Sequence, residues 1–194
     1  MVNLTRIYTR TGDDGTTALG DMSRVTKNDP RLVAYADVDE ANAAIGVVVA
    51  TPGLDHELTE LLTRIQNDLF DVGADLCTPV VKDTEFPQLR IEQGYIDRLE
   101  KSCDHYNEQL DPLRSFVLPG GTLAAAQLHV ARTIVRRAER STWAALEEYG
   151  RIMSTLPATY LNRLSDLLFI LSRVVNISET GGEGDRLWKP GGER

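Results

Sequence analysis

Five segments of this chain repeat apolar residues at every third or fourth position, the spacing that lines up one face of a helix. The first segment begins after Asn28–Pro30 and stops at Pro52–Gly53, and the second ends at Thr78–Pro79. Proline or glycine just beyond the last apolar position is typical of a helix end. The pattern therefore predicts two consecutive helices in the first half of the chain.

Three further segments continue the pattern. A shorter, more polar one lies between about Ile91 and Leu110, a long one runs from about Thr122 to Glu148, and the last opens at Ser154–Pro157. A hydroxyl residue followed by proline in the first turn is a common helix start. Five such segments predict an all-α fold, an up-and-down bundle of five helices.

The two ends of the chain differ from this helical part. Residues 1–27 are rich in Thr, Gly and Asp, and they predict a loop segment with one short strand at Arg6–Tyr8. Residues 178–194 combine glycines and prolines with many charges, which predicts a mobile tail. We predict a single domain over 1–194, with the helical bundle spanning 28–177.

The composition excludes several classes of protein. Hydrophobic residues make up 42% of the chain, enough for a core, and no apolar run is long enough to span a membrane. The first residues lack the layout of a signal peptide, and Cys77 and Cys103 have no CxxC spacing, so we expect a cytoplasmic protein without zinc. The net charge of −8 argues against nucleic acid as a partner, whereas a nucleotide needs only a local positive cluster.

The first candidate for chemistry is the loop Thr9–Thr17, with the sequence TRTGDDGTT. Its glycines allow backbone N–H groups to turn inward and its hydroxyls add donors, which together can form an anion-binding nest. It is not a Walker A loop, because the Gly-Lys-Ser/Thr ending is absent. Lys27 could supply the positive charge that the loop lacks. The alternative is a polar surface loop followed by a solvated lysine.

The second candidate is a group of charges on the fourth predicted helix. Arg132, Arg136 and Glu139 follow one another at spacings of four and three, so they share one helix face. Arg140 lies beside Arg136 on the same side. Several arginines around one carboxylate, in an acidic protein, indicate polyphosphate binding. The alternative is a surface helix with salt bridges to its neighbours.

Four single residues are candidates for a functional role, and a structural role is the alternative for each. Asn162 and Asp166, one turn apart, could hold phosphates or their metal ion, or could form ordinary hydrogen bonds between helices. Phe116, just before the turn Pro119–Gly121, could fill the core or lie over a flat cofactor. His129 has no partner at ligand spacing, and we interpret it as a hydrogen-bonding core or interface residue.

Together these stretches resemble the PduO-type ATP:cob(I)alamin adenosyltransferases, a family also called corrinoid adenosyltransferases. The resemblance covers about residues 6–176, in order and at compatible spacings. The segments that carry it are Thr9–Thr17, Ala34–Ala43, Phe116–Gly121, Leu128–Arg132, Arg136–Arg140 and Tyr160–Asp166. The chain departs from the family at Asp14, where lysine is common, and this places a negative charge near the phosphate loop.

The resemblance implies an enzyme that transfers the 5′-deoxyadenosyl group of ATP to the cobalt of cob(I)alamin and releases triphosphate, with Mg²⁺. It implies a homotrimer with ATP held where subunits meet. A corrinoid reductase and an adenosylcobalamin-dependent mutase are the expected partners. The residues that would contact ATP are Thr9, Arg10, Thr11, Gly12, Gly15, Thr17, Lys27, Arg136, Arg137, Glu139, Arg140 and Asn162.

The resemblance also implies catalytic roles for four residues. Arg136 would contact the leaving triphosphate, and Phe116 would lie on the lower face of the corrin. Asp39 would pair with Arg132 across the subunit interface. Trp188 in the tail would either lie over the bound corrin as a lid or be a stray aromatic in a disordered segment.

Two rival functions compete with this prediction. A ferritin-like di-metal oxidase is also a helical bundle, but it needs Glu-x-x-His pairs, and none of the three histidines has a glutamate at that spacing. A carrier that binds ATP and holds adenosylcobalamin for a mutase would use the same motifs. Turnover of ATP to triphosphate with a reduced corrinoid distinguishes the enzyme from the carrier.

Overall fold

The computed structural model describes residues 8–81, 87–180 and 184–193. Its five helices confirm the predicted fold class, and the sequence patterns locate each of them to within a few residues. The helices are α1 Pro30–Val49, α2 His56–Leu76, α3 Gln93–Asn107, α4 Leu123–Tyr149 and α5 Leu156–Thr180. Helix α1 packs against α2 and α4, while α5 packs against α4 and α3. Among the described residues, no helix has the length and apolar character needed to cross a membrane.

Short polar side chains begin three of the helices. Asp29, Asp55 and Thr122 each accept a hydrogen bond from a backbone N–H in the first turn of α1, α2 and α4. These bonds satisfy donors that have no partner within the helix. The cap at Thr122 fixes where α4 leaves the Pro119–Gly121 turn.

The core lies where the apolar stripes of the five helices meet. One buried carboxylate crosses it: Asp68 on α2 accepts hydrogen bonds from Tyr160 Oη of α5 at 3.1 Å and from Arg98 of α3 at 3.3 Å. Burial raises the pKa of the Asp68 carboxyl. This contact joins α2, α3 and α5. The candidate site is formed by α4 and the loops around it.

The N-terminal segment contains a hairpin that the sequence pattern did not predict. Strands β1, Thr16–Ala18, and β2, Arg24–Thr26, pair antiparallel. Of the strand predicted at Arg6–Tyr8, Arg6 and Ile7 lie outside the described residues, and Tyr8 is not in a strand. The hairpin was missed because three-residue strands are too short to display an alternating pattern.

The tail predicted from residue 178 starts later in the structure, and its described part lies along the body of the protein. Helix α5 continues to Thr180, and residues 184–188 return alongside residues 115–118. Leu118 N donates to Arg186 O at 2.8 Å, and Trp188 N donates to Phe116 O at 2.7 Å. The pairing satisfies backbone N–H groups of both segments, and composition alone could not predict it.

Candidate active site

The loop before β1 turns twice and brings Lys27 to its side. Arg10 has φ +63° and Gly15 has φ +80°, both in the left-handed region that lets successive N–H groups face the same way. Lys27 N donates to Gly15 O at 2.9 Å. A Cβ built on Gly12 would lie 3.2 Å from Lys27 Nζ, so the ammonium lies against the loop. Amides, hydroxyls and one ammonium together suit an anion.

The departure at Asp14 has a local structural explanation. Its carboxylate accepts hydrogen bonds from Thr16 N at 2.9 Å and Thr16 Oγ1 at 2.7 Å, and these bonds lower its pKa. Arg24 lies 3.5 Å from Asp14 and donates to Thr11 O at 2.7 Å. Asp14 therefore holds the turn, and Arg24 offsets its charge. Sequence reasoning missed Arg24, because it belongs to the strand that was not predicted.

The adjacent arginines of α4 differ in what they contact. Arg137 forms ion pairs with Asp37, at 3.2 Å, and with Glu40, both on α1. The hydrogen bond with Glu40 is the main reason that the pKa of Arg137 is raised. Arg136 is exposed and forms no ion pair within the described residues. Arg136 is thus the one available to an anionic ligand, whereas Arg137 joins α1 to α4.

The acidic residue of the arginine cluster pairs with α5. Asn162 Nδ2 donates to Glu139 Oε1 at 3.1 Å, so these two predicted site residues lie together. Asp166 accepts instead from Arg163 at 2.7 Å, and Arg163 also reaches Glu100 on α3. Asn162 therefore lies beside the arginine cluster of α4. Asp166 faces α3 instead, away from that cluster.

On the inner side of α4, His129 is buried and Arg132 is half-buried. Arg132 Nε and both ring nitrogens of His129 have no hydrogen-bond partner within the described residues. Burial, and then the charge of Arg136, lower the pKa of Arg132, and burial also lowers the pKa of His129. The prediction that His129 is buried is confirmed, but no hydrogen bond from it is found in the described part of the chain. Asp39 lies exposed on α1.

Phe116 opens onto a cavity of about 740 Å³ beside α4. Its side chain is 79% exposed, so it does not fill the core. Trp188 meets it edge to face, with ring centroids 6.1 Å apart. Arg132 and Phe169 line the inner wall of the same cavity. Three aromatic rings and an arginine thus face an open space large enough for a flat organic ligand.

Comparison with known proteins gives this arrangement a family. The family model for cobalamin adenosyltransferase matches residues 7–175 of the chain. The chain belongs to the cobalamin adenosyltransferase family. The match spans the loop, the arginine helix and the aromatic turn, so the resemblance inferred from the motifs is confirmed.

Relatives of this adenosyltransferase chain match it over most of their length. It is 65% identical to the corrinoid adenosyltransferase of Mycobacterium tuberculosis, over all of this chain and 97% of that protein. It is 41% identical to the corrinoid adenosyltransferase of Bacillus subtilis, over 88% of this chain and 86% of that protein. These similarities extend through the tail for the mycobacterial protein.

Solved structures agree with the fold of the adenosyltransferase chain. A PduO-type ATP:corrinoid adenosyltransferase from Lactobacillus reuteri, a phenylalanine-to-alanine variant complexed with cobalamin and ATP, gives a TM-score of 0.86 at 36% identity. That match covers 95% of this chain and 99% of the other. An arginine-to-lysine variant of the same enzyme, complexed with ATP, gives a TM-score of 0.82 at 38% identity, over 94% of this chain and 100% of that one.

Proposed function

We propose that this chain binds ATP between two of its subunits and transfers the 5′-deoxyadenosyl group to the cobalt of a reduced corrinoid. Membership of the family makes it an adenosyltransferase with ATP and a corrinoid as substrates. One observation supports the arrangement most strongly. Arg136, exposed and without an ion pair in the described residues, lies one turn from Arg132, which lines the aromatic cavity. Helix α4 therefore joins an anion site to a cavity lined by aromatic rings.

The reaction needs charge stabilisation rather than a general base. Cobalt(I) attacks C5′ of ATP, the C5′–O bond breaks, and the bond electrons leave with the triphosphate. The proposed anion contacts are Arg136, Arg140, Lys27 and the turned loop around Gly12. Fixed donors aimed at the leaving oxygens stabilise the transition state more than the ground state. Glu139 and Asn162, hydrogen-bonded to each other, would bound this site on the α5 side.

Two subunits would share the site. Within the described residues no hydrogen bond or ion pair joins the Thr9–Thr17 loop to the arginines of α4. Large apolar side chains stand exposed on three helices, among them Tyr35, Phe70 and Val130. We propose that these side chains belong to one contact surface between subunits. We propose that a homotrimer covers it and brings the loop of one subunit to α4 of the next.

Arg132 supports the same assembly, and it gives a prediction. Its buried Nε lacks a partner in the described chain, and Asp39 of a neighbouring subunit would supply one. We expect Asp39→Ala to weaken assembly and abolish most activity, because removing one partner of a buried pair costs roughly 3–5 kcal/mol. Sedimentation across a concentration series measures the change. A wild-type chain that sediments as a monomer at assay concentrations contradicts the interface.

The corrin would occupy the cavity with its lower face towards Phe116. An apolar ring at that face excludes water and the lower base of the corrinoid, leaving cobalt(II) with four ligands. Cobalt(II) without an axial ligand is easier to reduce to the nucleophilic cobalt(I). A polar side chain in this position could ligate the metal.

The position of Trp188 gives a second prediction for the corrin. The ring lines the cavity and contacts Phe116, which supports the lid rather than the stray aromatic. We expect Trp188→Ala to raise the KM for cob(I)alamin by at least about tenfold, since an apolar aromatic contact of this size contributes roughly 1.5–3 kcal/mol. The KM for ATP should change little. Steady-state kinetics with each substrate varied in turn test this, and an unchanged corrinoid KM removes Trp188 from the site.

Mg²⁺ would arrive with ATP rather than reside on the protein. In the described ranges no three His, Cys, Asp or Glu side chains cluster closely enough to hold a metal ion. Mg²⁺ commonly keeps several waters and binds through substrate phosphates. The ion would supply further positive charge to the triphosphate. We also propose a cytoplasmic location, supported by Cys77 and Cys103 being free thiols.

The product assay tests the proposed function against the carrier alternative. With reduced cobalamin and ATP, the absorbance of cob(I)alamin should fall as adenosylcobalamin appears, with one triphosphate released for each transfer. Multiple turnovers are expected of the enzyme. A carrier would bind both compounds without releasing triphosphate, and that outcome would overturn the proposal.

A further inference from the structure

A buried ion pair fixes the returning C-terminal segment to helix α5. Arg173 Nε donates to Asp185 Oδ2 at 2.6 Å, and the two side chains are only 8% and 6% exposed. Arg173 Nη2 also donates to the backbone oxygen of Asp111 at 2.8 Å. One side chain of α5 therefore holds two segments that are distant in sequence: the one after α3 and the one after α5.

Asn176, less than one turn further along α5, extends this contact to a third segment. Its Oδ1 accepts a hydrogen bond from Thr122 N at 3.0 Å, and its Nδ2 lies 3.5 Å from Asp185 Oδ1. Gly121 packs so closely that a Cβ added there would lie 2.1 Å from Asn176 Oδ1, and its φ of +106° also favours glycine. The start of α4 is thus fixed at the same place as the tail.

The residues that line the corrinoid cavity lie close, along the chain, to the residues held by Arg173 and Asn176. Phe116 lies between the anchored residues Asp111 and Thr122, and Trp188 follows the anchored Asp185. Backbone hydrogen bonds join the two stretches to each other, and Ser115 Oγ adds a bond to Trp188 O at 2.9 Å. The two rings are therefore held against each other, and the cluster on α5 sets their distance from the wall formed by α4 and α5.

We propose that the Arg173–Asp185 ion pair positions Phe116 and Trp188 against the corrinoid, so that the lower face of cobalt is closed at a fixed spacing. This inference rests on the corrinoid site of the proposed function. Stability alone does not account for the pair, because replacing a buried ion pair with apolar residues is often neutral or stabilising. The Arg173–Asp185 ion pair specifies one register of the tail along α5. An apolar contact would allow several registers.

The test uses Asp185→Asn and Arg173→Lys in the full-length enzyme. Asp185→Asn removes the charge at nearly constant volume, and Arg173→Lys keeps the charge but loses the bond to Asp111. We expect the KM for cob(I)alamin to rise at least about tenfold, which is the effect of 1.4 kcal/mol. The affinity for ATP should remain within about twofold of the wild-type affinity. Electron paramagnetic resonance of bound cob(II)alamin should show a smaller four-coordinate fraction at saturating corrinoid.

The matched control is Asp75→Asn, which breaks another buried pair, with Arg90 at 2.6 Å, away from the cavity. It should lower the melting temperature without changing the four-coordinate fraction. If folded Asp185→Asn and Arg173→Lys enzymes retain the wild-type four-coordinate fraction and the wild-type KM for cob(I)alamin, the positioning role is wrong. If the wild type itself forms no four-coordinate cob(II)alamin, the corrinoid site of the proposed function fails instead.

Discussion

Arg136→Lys should retain the fold and much of the ATP affinity yet lose roughly 10²-fold or more in turnover, the scale observed for one preorganised donor. A guanidinium donates two parallel hydrogen bonds to phosphate oxygens, and an ammonium cannot reproduce that geometry. Negative charge grows on those oxygens as the C5′–O bond breaks. The contact should therefore strengthen towards the transition state and affect kcat as well as binding.

The structure makes this prediction specific to Arg136. Arg137, next to it, already pairs with Asp37 and Glu40, so Arg137→Lys should act mainly through the packing of α1 on α4. Steady-state kinetics at saturating ATP and cob(I)alamin give kcat, with circular dichroism as the control for folding. Arg98→Lys, an arginine paired with Asp68 away from the site, is the matched substitution. A folded Arg136→Lys enzyme with near wild-type kcat would make this arginine a surface charge.

Phe116→Ala should lower turnover that starts from cob(II)alamin by roughly 10²-fold, which corresponds to a rise of about 3 kcal/mol in the overall barrier. The side chain is exposed in the cavity, so its removal leaves space for water or the lower base beside the cobalt. Cobalt(II) with a fifth ligand is harder to reduce. Binding of the corrinoid should survive better than turnover, because the remaining walls still contact the ring.

Phe116→Leu is the matched control for this prediction. It keeps an apolar side chain and should retain much of the four-coordinate cob(II)alamin that Phe116→Ala loses. Electron paramagnetic resonance of the bound cob(II) form measures that fraction directly. Equal fractions in the wild type and Phe116→Ala would remove Phe116 from the mechanism.

The helices could be predicted from sequence because their signals are local and redundant. Each has an apolar stripe, and several have a capping residue or a proline at an end, as at Asp29, Pro30 and Thr122. The hairpin at residues 16–26 carries no such redundancy. The pairing of residues 184–188 with 115–118 depends on contacts between segments about 70 residues apart, as in the Ser115–Trp188 hydrogen bond. Composition there indicates only a glycine-rich segment.

The candidate site was predicted in its residue types but not in its internal pairing. Helical spacing places Arg136, Arg137 and Glu139 near one another, yet it cannot say which carboxylate each arginine meets. The partners depend on how α1 and α5 pack on α4. In the structure Arg137 donates a hydrogen bond to Asp37, and Asn162 donates one to Glu139. Arg24 and the Arg173–Asp185 pair were missed because neither lies in a recognisable motif.

We propose that each active site takes its loop from one subunit and its arginines from the next. Mixed trimers test it most directly: Lys27→Ala and Arg136→Lys chains are co-expressed with different tags and purified by both tags in sequence. Any closed ring containing both variants has one interface where an intact loop meets an intact α4, so we expect about one third of wild-type activity. Activity no higher than that of the two parent variants would contradict a site shared between subunits.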